Sequence, residues 1–218
     1  MLLAPAALWR WVLLFMAKVY VFIDGFNSYH ALDAVPAYHR FKWTNLYKLA
    51  KAYLLGSDTL EGVEYFTTLA TWDAGKVARH TLFIRANEEQ GVVVTYGEFK
   101  RKERYCTLCK GKFLSREEKQ TDVNIALRLL ELAVQGRYDK AIIISGDTDL
   151  IPAIKVVHRT FPQKKVGVVI PIGRASEDLK NQADFHHKMK VQHLASSRFE
   201  DEHKMRDGSV LSCPPSWR

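Results

Sequence analysis

Asp24, Asp122, Asp147 and Asp149 lie in three short polar blocks: Ile-Asp-Gly-Phe-Asn, Lys-Gln-Thr-Asp-Val-Asn and Ser-Gly-Asp-Thr-Asp. Carboxylates gathered at one point repel one another unless they are protonated or bound to a cation. Hard divalent ions such as Mg2+ or Mn2+ take oxygen ligands, and commonly keep waters beside one or two carboxylates. Such a metal can activate water and clamp a phosphate during in-line displacement. Gly25 and Gly146, beside these acids, allow tight turns and close backbone approach to a ligand. Each acid also has a purely structural explanation. Asp149 suits a helix N-cap, Asp122 a first helical turn that favours negative charge, and Asp24 with Asn27 a turn. What separates the two explanations is whether the fold brings the blocks together.

The elements that would do so are legible from periodicity. Apolar, β-branched runs predict strands at 18–24, 63–70, 92–99, 140–145 and 165–170. Gly25 and Asn27 are read as breaking the first of these. Helical spacing predicts helices from Thr44 (as N-cap) to Gly56, and over 76–89, 122–134 and 149–161. Pro152 is tolerated in the first turn of the 149–161 helix. A final helix is predicted over 176–189 with Ser176 as N-cap, carrying His186 and His187 as ordinary surface or packing residues. Alternating strands and helices predict an α/β domain with a mostly parallel central sheet of about five strands, covered on both faces. Ligands of such sheets sit outside the carboxyl ends of the strands. Asp24 ends the first strand, Asp147 and Asp149 follow the fourth, and Asp122 opens the central helix.

One domain is expected over 16–195, with a basic excursion at 100–119 and a flexible tail at 196–218. Residues 1–15 read as an N-terminal extension, with Met16 as the natural start. Arg10 interrupts the apolar run, which argues against a membrane span. Three cysteines among 218 residues do not form a secreted disulfide scaffold, and a reducing cytoplasm is the expected location. The net charge of +8 and pI of about 9.3 favour polyanion partners, although surface Lys and Arg also serve solubility. Lys100, Arg101, Lys102, Arg104, Lys110, Lys112, Arg116 and Lys119 crowd the excursion beside Tyr105 and Phe113. Cations beside aromatic rings suit single-stranded nucleic acid, whereas a solvated charged loop is the plainer reading. Cys106 and Cys109 have the spacing of half a zinc site. They fit a remnant metal knuckle, a site completed by a distant His or a second subunit, or two ordinary thiols, and no zinc ligand is assigned. No Walker loop, dinucleotide fingerprint or nucleophile elbow occurs.

The three blocks, Ile23–Asn27, Lys119–Val123 and Ser145–Leu150, resemble in order and spacing the signature blocks of NYN domains, which are PIN-like proteins. The resemblance runs from about Lys18 to about Leu194. It implies a PIN-like three-layer fold and a metal-dependent ribonuclease using Mg2+ or Mn2+. Asp24, Asp122 and Asp147 would be catalytic metal ligands, Asp149 a further ligand, and Asn27 would position a phosphate or water. RNA is the implied partner, and pairing into a homodimer is compatible with the family. Two rival functions are carried forward: a non-catalytic RNA- or protein-binding module with a structural cation, and a metal-dependent phosphoesterase.

Overall fold

The computed structural model describes residues 16–218. The expected extension at 1–15 lies outside the described residues. The central sheet is built from β1 (Lys18–Asp24), β2 (Thr59–Thr67), β3 (Val92–Tyr96), β6 (Lys140–Ile144), β7 (Lys165–Ile170) and β8 (Phe185–Lys188). Its order is β3-β2-β1-β6-β7-β8, and all five pairings are parallel. The chain builds outward from β1 through β2 to β3, then returns to β1's other side and builds outward again. The strand order therefore reverses between β1 and β6, where an open α/β sheet leaves a crevice at its carboxyl edge.

Parallel strands buried on both faces must be apolar at successive positions, and β1 shows how this works. Val19, Val21 and Ile23 point into one core, and Tyr20 and Phe22 into the other. The second core is closed by α4 (Thr121–Val134) and α5 (Ile151–Thr160), through Ile125, Leu129, Ile154 and Val157. The first is closed by α1 (Gly25–Asp33), α2 (Leu46–Lys51) and α3 (Ala74–Glu89), through Leu32, Leu49 and Phe83. Three layers result.

Several expectations change. Gly25 does not end regular structure but starts α1, with Asp24 as N-cap accepting from the Asn27 N–H at 2.9 Å. Glycine is needed because a Cβ there would lie 2.6 Å from the Phe66 carbonyl oxygen and the Tyr65 ring. Asn45, not Thr44, caps α2, accepting from the Lys48 N–H. The segment expected to be one helix over 176–189 splits into α6 (Glu177–Gln182) and β8, so His186 and His187 lie on a sixth strand. Between them Asp184 accepts from the Val166 N–H at 2.8 Å, anchoring the chain to β7. Phe185 covers Gly167, where a Cβ would stand 2.1 Å from the ring.

The tail expected to be flexible is packed. After α7 (Val191–Ser197), the small hairpin of β9 (Glu202–Lys204) and β10 (Val210–Ser212) leads to buried Cys213 and Trp217. Trp217 meets Trp43 and Phe83 with ring centroids 6.5 and 6.4 Å away. The polar composition of 200–209 hides four apolar anchors, Phe199, Leu211, Cys213 and Trp217, that join the first core.

Candidate metal and nucleic-acid site

The carboxyl ends of β1 and β6 are tied by a short hydrogen-bond chain. Asp24 is 3% exposed. One of its oxygens caps α1, and the other accepts from the Ser145 hydroxyl at 2.8 Å. The Ser145 Oγ accepts in turn from the Asp147 N–H at 3.0 Å. The Asp147 carboxylate accepts from the Asp149 N–H at 3.0 Å, in a single turn of tight helix leading into α5. Asn27 completes the frame: its Oδ1 accepts from the Gly146 N–H at 3.1 Å.

Asp122 reaches the same place from α4. Burial, followed by the charges of Asp24, Asp147, Glu118 and Asp149, pushes its carboxyl up to about 7. Burial also raises Asp24, to about 6, against the hydrogen bonds from Asn27 and Ser145, with Asp147 and Glu118 adding repulsion. Asp122 thus feels the charges of the other three aspartates expected from sequence, and of Glu118. Glu118 accepts from both the N–H and the hydroxyl of Thr121, locking the start of α4. The donor set is all oxygen and mutually repelling, the chemistry that suits a hard divalent cation. Among the described residues, however, no group of three or more His, Cys, Asp or Glu side chains is arranged to hold a metal ion.

The basic excursion is an antiparallel hairpin, β4 (Glu98–Tyr105) against β5 (Lys112–Lys119). Gly97 lets its base close, since a Cβ there would lie 2.6 Å from the Lys119 carbonyl oxygen. Alternation sorts the cations. Glu117 pairs with Lys102, Arg104 and Lys119, and these contacts, Arg104 first, pull its carboxyl down to about 2. Lys112 pairs with Glu103 at 3.4 Å. Lys100, Arg101, Lys110 and Arg116 have no ion pair among the described residues. Arg101 and Arg116 stand directly opposite each other across the ladder, an arrangement that costs energy unless an anion intervenes. They share a face with Phe99, and Arg116 lies over the Trp72 ring at 4.2 Å while Phe99 meets its edge at 4.7 Å.

The hairpin tip holds Cys106 and Cys109. The Cys109 N–H points at the Cys106 Sγ from 3.5 Å, and backbone N–H groups of Cys109 and Leu108 lower that thiol's pKa. Lys110 takes a left-handed conformation at φ 56° to close the turn. Cys213 is buried in the tail's core.

The NYN domain family model matches residues 18–190. The chain belongs to the NYN domain family. A solved structure of a protein of unknown function from Vibrio parahaemolyticus RIMD 2210633 has a similar fold, with a TM-score of 0.54 and 19% identity. The match covers 81% of this chain and 95% of that one. A 55-residue stretch, 25% of this chain, is 42% identical to part of 6-hydroxy-3-succinoylpyridine 3-monooxygenase from Pseudomonas putida (strain DSM 28022 / S16). The chain spans only 17% of that relative's length.

Two residues of this NYN domain's acidic mouth escaped the sequence reading. Ser145 only ends an apolar strand in the sequence, yet its hydroxyl orients Asp24. Glu118 lies among the cations of the basic excursion in sequence, yet its charge acts on Asp24 and Asp122. A third, Arg174, has its Cβ 3.6 Å from where a Gly146 side chain would begin, and nothing in its local sequence signals that approach. No helix among the described residues is long and apolar enough to cross a membrane.

Proposed function

We propose that this NYN domain is a metal-dependent ribonuclease that hydrolyses RNA phosphodiester bonds at the β1/β6 crevice. The observation that supports this reading is the hydrogen-bond chain from Asp24 through Ser145 to Asp147 at the strand-order reversal, with Asp122 near enough to be repelled by both carboxylates. Mg2+ or Mn2+ held by Asp24, Asp122 and Asp147, with Asp149 beside them, would relieve that repulsion and supply Lewis acidity toward a phosphate.

The chain's own groups set the geometry. Ser145 and the α1 N-terminus fix the Asp24 carboxylate in one orientation. Because Asn27 Oδ1 is engaged by Gly146, its amide Nδ2 is the group left to donate to a phosphate oxygen. Arg174, whose Cβ lies beside the Gly146 backbone, would bring positive charge to the phosphoryl group as negative charge develops on it. Arg101 and Arg116 hold neighbouring phosphates, with Trp72 and Phe99 offering stacking surface. Water is the nucleophile, a ribose oxygen leaves, and no covalent enzyme intermediate is needed.

The absence, among the described residues, of a preassembled group of three metal-binding side chains favours a second reading. In it the domain binds RNA through the hairpin without cutting. The activity in the Pseudomonas relative's name is not carried across on a shared 55-residue stretch. End-labelled single-stranded RNA incubated with Mg2+, with Mn2+ and with chelator, beside Asp147→Asn, separates the two. Metal-dependent products lost in the variant support the nuclease. Salt-sensitive binding with no products under any condition supports the binding module.

A further inference from the structure

On the side of α1 away from Gly146, a cavity of about 320 Å3 lies between α1, α3 and the end of β2. Gly25, the residue after Asp24, is among its lining residues, so the cavity adjoins the N-terminus of the helix that Asp24 caps. Its walls are aromatic, with Tyr29, Tyr65, Phe83 and, from the packed tail, Trp217. Trp72 and Phe99 stand among the lining residues together with Phe26, whose ring meets Phe99 at 6.2 Å. Trp72 and Phe26 are each 39% exposed, which places this edge of the lining toward solvent.

Two features separate this cavity from an ordinary gap in packing. Ser28 and Thr68 are among the lining residues, and their hydroxyls, just behind the wall, are shielded from solvent and have no hydrogen-bond partner. Buried hydroxyls without partners are costly, and an aliphatic occupant would leave them so. Lys76 and Arg79 on α3 also line it, and Arg79 has no ion pair among the described residues. A flat aromatic ring with polar atoms on its edge, attached to an anion, answers all three features: the stacking walls, the idle hydroxyls and the cations.

We propose that this cavity takes one unstacked base of the RNA strand whose phosphodiester lies at the Asp24–Asp147 mouth. The base would be gripped by aromatic faces and read on its edge by Ser28 and Thr68, as single-stranded RNA is commonly recognised. The inference rests on the ribonuclease reading and adds to it a base-dependent anchor that sets which linkage meets the acids.

The test uses the full chain in chelator, with a fluorescein-labelled short single-stranded RNA, and with versions carrying an abasic ribose at each position in turn. One abasic position is expected to weaken binding about 10-fold, while the others change little. Ser28→Leu, which narrows the cavity, and Tyr29→Ala, at a partly exposed wall position, are each expected to weaken the intact strand by about the same factor and to leave the critical abasic strand unchanged. Circular dichroism melting identifies a variant that has failed to fold, and the other variant then carries the comparison. Equal affinity for the intact and every abasic strand would overturn the proposal, as would folded variants that bind like the parent protein. Binding of free AMP or UMP with RNA ignored would overturn it too. Base-dependent binding without metal-dependent cleavage would keep the base pocket and discard the nuclease. Cleavage sensitive to Asp147→Asn but indifferent to abasic positions would do the reverse.

Discussion

Asn27 and Gly146, 119 residues apart in sequence, are joined by a hydrogen bond of 3.1 Å from the Gly146 N–H to the Asn27 Oδ1. This bond fixes the first turn of α1 against the loop after β6, and so sets the spacing between Asp24 and Asp147. Asn27→Ala leaves the Gly146 N–H without this partner and should cost about 1 kcal/mol of stability. RNA cleavage should fall about 10- to 100-fold, the range seen when a group that orients metal ligands is lost. Urea unfolding and cleavage assays would be compared directly. Unchanged cleavage would mean that the two loops hold their spacing without this bond.

Asp122 gives a pH signature. Folding raises its carboxyl to about 7, so the folded chain binds more protons than the unfolded chain between about pH 4 and pH 7. Stability is therefore withdrawn as pH rises through that window. In chelator, Asp122→Asn should melt above the parent protein at pH 8, and the gap should shrink by pH 5. Added Mg2+ should raise the melting temperature of the parent at pH 8 and act more weakly on the variant. A variant that melts below the parent at both pH values would contradict a carboxyl raised by burial and by its neighbours' charge.

The hairpin cations should not be equivalent. Lys102 and Arg104 already share Glu117, whereas Arg101 and Arg116 have no ion pair among the described residues. Arg101→Ala and Arg116→Ala should each weaken RNA binding and lower the slope of log affinity against log salt by about 1. Lys102→Ala should have a smaller effect. Equal slopes for all three variants would indicate a diffuse field rather than a site-facing pair.

His80 lies in the cavity wall, its Nε2 3.3 Å from both the Tyr65 and Thr67 hydroxyls. Burial lowers its pKa to about 4. The unfolded chain then binds the extra proton between about pH 4 and pH 6.5, so His80 removes stability as pH falls through that range. An NMR titration should find this ring neutral at pH 6, and His80→Gln should flatten the acid limb of the stability curve. A His80 that titrates near 6.5 would show the cavity open to bulk water.

Trp217 tests the tail. Its burial against Trp43 and Phe83 predicts a loss of about 3 kcal/mol in Trp217→Ala, read by urea unfolding. A change below about 0.5 kcal/mol, typical of surface positions, would return the tail to a loosely held segment.

The apolar runs of β1, β6 and β7 determine the α/β class by themselves, because a strand buried on both faces must be apolar throughout. The face of α4 that covers them is not legible locally, since Val123, Leu127 and Val134 stay exposed while Ile125, Leu129 and Leu132 are buried. Like those runs, the aspartates were visible, as polar residues set where apolar strands end. Their convergence was not, since periodicity does not say that β1 lies beside β6. Pairing between distant strands is decided by the packing of the whole sheet, and it is that adjacency which pairs Asp24 with Ser145 and Asn27 with Gly146. The same holds for β8 and the tail. Phe185 over Gly167, and Trp217 against Trp43, are contacts between segments whose local composition points to helix or to loose chain. Burial of one large ring outweighs weak local preference there. The cavity beside the acids belongs wholly to the tertiary structure, because its walls come from α1, β2, α3, the hairpin base and the last residues of the chain, brought together only when the first core closes.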